Sequence, residues 1–280
     1  MYTNESDAAA APGIDLATVE VATGCVLGRD HRRTDRPCQD AVAVARADGA
    51  AVVAVADGCG SGRHSEVGAR IGARVLATAA AARLTAGAAI EDPATWLAAA
   101  DDVLVQLTCL IDAFGGSVRD VVHDHFLFTL VAAAVTPRGA AAFAIGDGVI
   151  VLGDDLHVLD AGPDNAPPYL AYRLLGAPAP HRLVVAPPAT RAALVATDGA
   201  TALLAHAGAP LPAGRGAVLD PRAVATDDRL WRNPDALRRR LAVASADHVE
   251  VDAATARLTR TGGVLADDTA IAALRWGPRC

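Results

Sequence analysis

The sequence contains no lysine, and all 25 of its basic residues are arginine. This absence excludes two kinds of chemistry, because Schiff-base catalysis needs a lysine amine and the Walker-type phosphate loop needs a lysine beside the phosphates. The net charge is -7 over 280 residues. An acidic chain is a poor match for nucleic acid, whose phosphates require a basic face. We therefore predict no nucleic-acid partner.

Cysteines and long apolar runs are also scarce. The five cysteines are odd in number and show no paired spacing, which is typical of reduced thiols rather than of a disulfide framework. No apolar run reaches about 18 residues without a charge, and the first residues lack the pattern of a signal peptide. We expect a cytoplasmic protein with no membrane partner. Residues 1–13 are predicted to be a disordered tail and residues 14–280 a single domain.

Short apolar runs that meet an aspartate form the main pattern. Asp57 and Asp198 each follow such a run, and Asp40 and Asp267 each stand just before one. Mg²⁺ and Mn²⁺ prefer oxygen ligands, and glycine lets a backbone carbonyl approach an ion closely. The sequence therefore predicts a metal site built from these four carboxylates and the carbonyl of Gly58. Two ions about 3.5–4 Å apart would activate a water for attack on phosphorus.

Each of these aspartates also has a structural interpretation. Asp-Gly is a common hairpin turn, and we interpret Asp147-Gly148, between two short runs, as such a turn. Helical patterns rather than return strands follow Asp57 and Asp198, which favours a functional role there. Asp267 and Asp268 could instead form a solvated strand entry. The role of Asp40, taken alone, stays open.

The order of predicted elements indicates the fold class. A hairpin joins strands at 41–45 and 51–56, and a helix begins with Ser65 as its N-cap. A second helix begins at Asp92-Pro93. An antiparallel meander is predicted from 126 to 159, strands at 19–26, 182–185, 191–197 and 269–276, a short helix after Asp198 and a helix at about 233–246. This ordering favours two packed antiparallel sheets flanked by helices over a doubly wound parallel sheet.

A family resemblance emerges from the motifs in series. They are CQDA at 38–41, DGCGSGRHSEVGA at 57–69, FTLVAAAV at 128–135, IGDG at 145–148, ATDG at 196–199 and ADDT at 266–269. In this order they resemble the metal-dependent serine/threonine phosphatases of the protein phosphatase 2C type, and most closely the compact bacterial branch. The resemblance covers residues 20–276. It implies an α+β fold, a four-layer α/β/β/α sandwich whose two antiparallel β-sheets are flanked by helices.

The resemblance also implies roles for single residues. Asp57 matches the ligand that bridges two Mn²⁺ or Mg²⁺ ions, and Gly58 matches the carbonyl ligand. Asp198 and Asp267 match the remaining carboxylate ligands. Asp40 matches the carboxylate that binds metal directly or through water. Asp57 and Asp40 are accordingly the candidate catalytic residues.

The chain departs from the family pattern at three places. Asp35 stands where the family has a phosphate-binding arginine, so this role passes to Arg33, Arg36 or His31. Cys59 stands where many members have a histidine proposed as proton donor, which leaves a metal-bound water or His64 for that step. Asp124 matches a third-metal aspartate, but its usual partner position holds Ala202. We therefore expect a weak third metal site at most.

Three hypotheses of function follow. The leading one is a phosphatase that acts on phosphoserine or phosphothreonine in a protein substrate and opposes a serine/threonine kinase; small phosphorylated metabolites stay open as substrates. The second is a catalytically weak module that binds phosphorylated partners. The third, a nucleotide-binding loop at 57–65, is disfavoured because the chain lacks lysine. The sequence does not indicate an oligomeric state.

Overall fold

The computed structural model describes residues 13–163 and 166–277. The predicted disordered tail lies outside them except for Gly13. The β-strands are β1 Glu20–Val26, β2 Ala41–Ala47, β3 Ala50–Ala56, β4 Leu130–Thr136, β5 Gly139–Ile145, β6 Gly148–Leu152, β7 Asp155–Leu159, β8 His181–Val185, β9 Ala192–Ala196, β10 His248–Asp252, β11 Arg257–Thr261 and β12 Thr269–Arg275. The α-helices are α1 Arg29–Arg33, α2 Ser65–Thr85, α3 Pro93–Phe114, α4 Val118–Val121, α5 Ala200–Ala205 and α6 Ala236–Ser245.

Two five-stranded sheets form the centre of the molecule. Sheet I has the order β1-β12-β9-β6-β7, and sheet II has the order β2-β3-β4-β5-β8. Neighbouring strands are antiparallel in both sheets. A separate hairpin joins β10 and β11. The predicted pair of antiparallel sheets is confirmed.

The side chains of β3 show how the layers are built. All of its residues are buried, but successive side chains point to opposite faces of a strand. Val52 and Ala54 therefore join the apolar cluster beneath α2 and α3, whereas Val53 and Val55 join the cluster between the two sheets. A continuous apolar run, rather than an alternating one, is what a strand buried on both faces requires.

A second helical layer covers the outer face of sheet I. Leu203 of α5 and Leu237 and Leu241 of α6 are fully buried. They pack in one cluster with Val151 of β6 and Ile271 of β12. The chain is thus an α/β/β/α sandwich, as the resemblance implied.

The predicted meander is wrong at its centre. β5 pairs with β4 and β8 in sheet II, whereas β6 pairs with β7 and β9 in sheet I. Asp147-Gly148 therefore does not close a hairpin; it lies where the chain crosses from one sheet to the other. Gly146 and Gly148 have φ values of +93° and +135°, which only glycine adopts without strain.

Smaller differences concern the ends of elements. Ser65 is the first residue of α2 rather than its N-cap, which is His64. Residues 126–129 are not strand, because a π-helical turn covers Val122–Phe126 and β4 begins at Leu130. The helix predicted from Asp92-Pro93 is confirmed, with the Asp92 carboxylate accepting from the N–H of Ala94. Among the described residues, no helix has the length and apolar character needed to span a membrane.

Candidate functional site

A cleft of about 320 Å³ opens at one end of the sandwich. Four of the five predicted metal ligands line it: Asp57, Gly58, Asp198 and Asp267. The other residues of its lining are His31, Gln39, Cys59, Gly60, Ser61, Asp147, Pro167 and Tyr169. The cleft thus brings together residues that adjoin strands of both sheets, among them three of the four strand-end aspartates.

The backbone fixes the position of Asp57 and Gly58 after β3. The N–H of Thr129 donates to the Asp57 carbonyl oxygen at 2.8 Å, and the N–H of Cys59 donates to that of Leu127 at 2.9 Å. A Cβ at position 58 would lie 2.8 Å from Ser65 Oγ and 2.9 Å from a carbonyl oxygen. Only glycine fits this position, which leaves backbone rather than side chain at the cleft surface.

Asp40 lies behind the cleft rather than on its surface. It is buried, and the hydroxyl of Thr197 donates to its Oδ2 at 2.6 Å. Burial raises the pKa of the Asp40 carboxyl well above its usual range, although the Thr197 hydrogen bond opposes this shift. The Asp40–Thr197 bond joins the start of β2 in sheet II to the end of β9 in sheet I.

The carboxylates repel one another. The pKa of Asp57 is raised well above its usual range, first by burial and then by the negative charges of Asp40, Asp198 and Asp267. Asp40 is buried, Asp57 and Asp198 are half-buried and Asp267 is exposed; like charges this close are costly without a cation. This donor set of carboxylates and one backbone carbonyl is the kind that Mg²⁺ and Mn²⁺ prefer.

An orphaned buried atom supports the same fit. Gln39 is 2% exposed and lines the cleft, yet its Oε1 has no hydrogen-bond partner among the described residues. Its Nε2 donates to Ser65 Oγ at 2.7 Å. A buried polar oxygen without a partner needs an explanation, and a hydrated cation in the cleft would supply one. The residues present therefore fit a divalent metal.

Asp268 has a different environment from Asp267. Its carboxylate is buried and accepts from the backbone N–H groups of Gly28 at 2.7 Å and Gln39 at 2.6 Å. Its Oδ2 also lies 2.9 Å from Nδ1 of His31. Donor atoms of His31, Asp267 and Asp268 all lie within 4.8 Å of one another. The solvated strand entry considered for Asp268 is therefore wrong.

The three candidate phosphate-binding residues lie in different places. His31 lines the cleft. Arg36 reaches its rim, where Nη2 donates to the Gly60 carbonyl oxygen at 2.6 Å. Arg33 instead approaches Asp30 at 3.7 Å and Asp247 at 3.6 Å, away from the lining residues. Proximity thus favours His31 and Arg36.

Two further candidates lie outside the cleft lining. Asp124 belongs to the π-helical turn, and its carboxylate is 4.0 Å from Arg63 Nη1. The His64 side chain is 57% exposed, lies 3.6 Å from Glu66 and stacks on His125. The position of Asp124 therefore does not support a third metal site, and the position of His64 does not support a role as proton donor.

Asp147 lines the cleft although its sequence context indicated a turn. Burial and then the charge of Asp198 raise its pKa to about 6. Cys59 also faces the cleft; burial would raise the pKa of its thiol, but hydrogen bonds with Ser61 and Tyr169 outweigh burial and lower the pKa. The sequence signal for Asp147 was the IGDG motif, whose aspartate recurs at a strand end like Asp57 and Asp198.

Comparison with known proteins identifies the family. Residues 27–212 match the family model described as protein phosphatase 2C. The chain belongs to this family. No curated protein sequence matches the chain significantly. The fold is similar to that of a bacterial serine phosphatase, with a TM-score of 0.54 and 14% identity over 92% of this chain and 98% of that one. It is also similar to the serine/threonine phosphatase Stp1 from Staphylococcus aureus, with a TM-score of 0.52 and 14% identity over 93% and 96% of the two chains.

The match confirms the resemblance drawn from the motif series. It includes Asp40, Asp57 and Asp198 but ends before Asp267. The solved structures, at 14% identity, add the fold of the whole domain. The roles of single residues in the cleft are therefore argued from their geometry alone.

Proposed function

We propose that this member of the protein phosphatase 2C family hydrolyses phosphate monoesters and acts on phosphoserine or phosphothreonine in proteins. The observation that carries the proposal is the convergence of Asp57, Asp198 and Asp267 on one cleft, with the pKa of Asp57 raised by burial and by the neighbouring carboxylates. Such a concentration of negative charge suits a cation-assisted reaction with a phosphate dianion.

The family is metal-dependent and uses Mg²⁺ or Mn²⁺. In this chain Asp57, the Gly58 carbonyl, Asp198 and Asp267 would hold two such ions, with Asp40 behind them. The bound metal would supply Lewis acidity toward the phosphate and an activated water. Gln39 lines the same cleft, and its buried Oε1 has no hydrogen-bond partner among the described residues.

The segment before Asp40 would bind the phosphate group. His31 lines the cleft and Arg36 stands at its rim. The Arg36 bond to the Gly60 carbonyl can be exchanged for a charge-assisted bond to phosphate, which is the stronger interaction. Arg33 is engaged with Asp247 and Asp30, so we assign it no part in phosphate binding. The partner is then a phosphorylated protein, and the activity opposes a serine/threonine kinase.

The proposal is tested by hydrolysis of p-nitrophenyl phosphate and of a phosphoserine peptide with Mn²⁺, with Mg²⁺ and with chelator. We expect metal-dependent turnover of both substrates and a loss of at least about 10²-fold in kcat for Asp57→Asn, since electrostatic contributions of this kind reach that size. Asp154→Asn, in the exposed turn between β6 and β7, is the matched control. Equal turnover in wild type and Asp57→Asn would contradict the site assignment.

A second candidate function is a catalytically weak module that binds phosphorylated partners. Cys59 in the cleft and Asp35 at the arginine position favour it, because both replace groups that assist catalysis in relatives with this motif pattern. Tight binding of the phosphoserine peptide by calorimetry, without turnover at saturating Mn²⁺, would support this function over the first.

A further inference from the structure

His31 is held in one orientation by a buried carboxylate. Its Nδ1 lies 2.9 Å from Oδ2 of Asp268, and Asp268 is 2% exposed. The same carboxylate accepts from the backbone N–H groups of Gly28 and Gln39. Since backbone amides can only donate, these bonds favour a carboxylate that accepts, and the proton of the His31–Asp268 bond belongs on Nδ1. Nε2 is then the ring nitrogen left for the cleft.

The bonds of Asp268 also fix where the ring lies. Gly28 and Gln39 stand at the two ends of the segment that carries His31, so one carboxylate fastens both ends. The segment packs directly on the neighbouring ligand position, because a Cβ at Gly28 would lie 2.3 Å from the Asp267 carbonyl carbon. The position of His31 is thereby tied to that of Asp267, as precise catalysis requires of its groups.

No other described residue that lines the cleft has a basic side chain. Arg33 is engaged by Asp247. Arg36 stands at the rim, where we propose that it binds the phosphate group, and a guanidinium does not give up its proton in proteins. His64 is largely exposed beside Glu66. His31 is therefore the basic side chain that the geometry places within the cleft.

Hydrolysis of an alkyl phosphate needs a proton donor. The oxygen of the attacking water forms a new bond to phosphorus, the bond from phosphorus to the seryl or threonyl oxygen breaks, and its electron pair leaves on that oxygen as a strongly basic alkoxide. We propose that His31 gives a proton from Nε2 to this leaving oxygen, and that Asp268 is the residue that positions it. The attacking water loses a proton to solvent, and solvent returns one to Nε2, so the products are an alcohol and inorganic phosphate. This assignment rests on the proposed phosphatase function.

Leaving groups of different basicity test the assignment. Hydrolysis of the phosphoserine peptide expels a serine alkoxide, which needs a proton. Hydrolysis of p-nitrophenyl phosphate expels p-nitrophenolate, which is a stable anion and needs none. We expect His31→Gln to lower kcat for the peptide by about 10²–10⁴-fold and to change kcat for p-nitrophenyl phosphate by only a few-fold. His206→Gln, at an exposed position just after α5, is the control and should leave both values unchanged.

Asp268→Asn should show the same selectivity with a smaller loss, because the amide can present an NH₂ group to Nδ1 and misorient the ring. Circular dichroism establishes that this variant is folded, and His31→Gln stands as the independent test. Equal losses on both substrates would limit His31 to the phosphate-binding role given to its segment under the proposed function and would overturn its role as proton donor. An unchanged peptide kcat, or a selective loss in His64→Gln instead, would also overturn it. Wild-type protein that hydrolyses neither substrate would contradict the proposed function itself.

Discussion

The pKa of Asp147 depends on parts of the chain that are distant from it in sequence. The carboxyl is buried, and its pKa is raised from 3.8 to about 6 by burial and by Asp198. The folded state therefore binds a proton more tightly than the unfolded state. Its contribution to stability is full below about pH 3.8 and is lost as the pH rises through about 6.

Replacing the Asp147 carboxyl should remove the loss of stability that accompanies its deprotonation. We expect Asp147→Asn, in chelator-treated protein, to have a Tm that falls less than the wild-type Tm between pH 4 and pH 7, because asparagine does not titrate. Thermal unfolding followed by circular dichroism at a series of pH values measures the difference. Asp154→Asn, six residues from the crossing into sheet I, should keep the wild-type pH profile. An Asp147→Asn profile parallel to the wild type would contradict the assignment.

The position of Asp147 could not be predicted from the local sequence. A strand, an Asp-Gly pair and another strand satisfy the local rules for a hairpin. Whether the second strand pairs with the first or crosses to another sheet depends on partners such as β9, more than 40 residues later. By contrast, a functional role rather than a turn was predicted for Asp57 and Asp198, because the helices that follow them exclude a hairpin and are visible locally; both residues line the cleft.

Helix α2 depends on two glycines at its contact with the segment that precedes β4. A Cβ at Gly72 would lie 2.2 Å from Phe128 Cε2, and one at Gly68 would lie 2.2 Å from the His125 carbonyl oxygen. Phe128 is fully buried and cannot move aside freely. The close approach sets the depth at which α2 packs on sheet II and places Ser65 against Gln39.

Gly72→Ala should therefore destabilise the protein although alanine favours helices. Overpacking costs about 1–3 kcal/mol, which exceeds the roughly 0.5–1 kcal/mol that alanine gains over glycine within a helix. Urea denaturation should show a lower midpoint for Gly72→Ala. Thr78→Ala, at an exposed position of the same helix, should leave the midpoint unchanged or raise it slightly. A midpoint for Gly72→Ala at or above the wild-type value would show that the helix shifts without cost.

The sequence predicted a helix or strand well when the residues that determine it lie within or next to it in the chain. The helix at Asp92-Pro93 has a capping residue and a proline at its first turn, and both favour the start of a helix at their own positions. The β10–β11 hairpin was missed although apolar Val249 and Val251 alternate with polar residues. Both side chains are exposed, so the alternation serves no buried face of the sandwich. Helix α1, five residues long, is too short to show a period.

Over the whole molecule, the candidate site joins the two sheets. Asp40 and Asp57 adjoin β2 and β3 of sheet II, whereas Asp198 and Asp267 adjoin β9 and β12 of sheet I. The sheets also share one apolar cluster, which contains Val53 and Val195. We propose on this basis that residues 14–280 behave as one domain. The sequence could supply the ordered motifs of this arrangement but not the sheet crossing that closes it.

A cation that binds this site should stabilise the fold, because it neutralises carboxylates on both sheets. A ligand that binds only the folded state adds about 2.7 kcal/mol at 100 times its Kd. We expect Mn²⁺ to raise the wild-type Tm over that of chelator-treated protein, as measured by differential scanning calorimetry. This measurement does not depend on turnover, so it tests the metal site separately from the activity.

Asp57→Asn should raise the Tm of the chelator-treated protein but reduce the increase in Tm that Mn²⁺ produces. Removing one charge from a repelling group relieves Asp40, Asp198 and Asp267, so the chelator-treated variant should melt at a higher temperature than chelator-treated wild type. Loss of one of the proposed metal ligands should at the same time reduce the increase in Tm on adding Mn²⁺. Asp154→Asn should reproduce both wild-type values. A Mn²⁺-induced increase in Asp57→Asn equal to that of wild type would mean that the cation binds elsewhere, and the repulsion among these four carboxylates would then need another explanation.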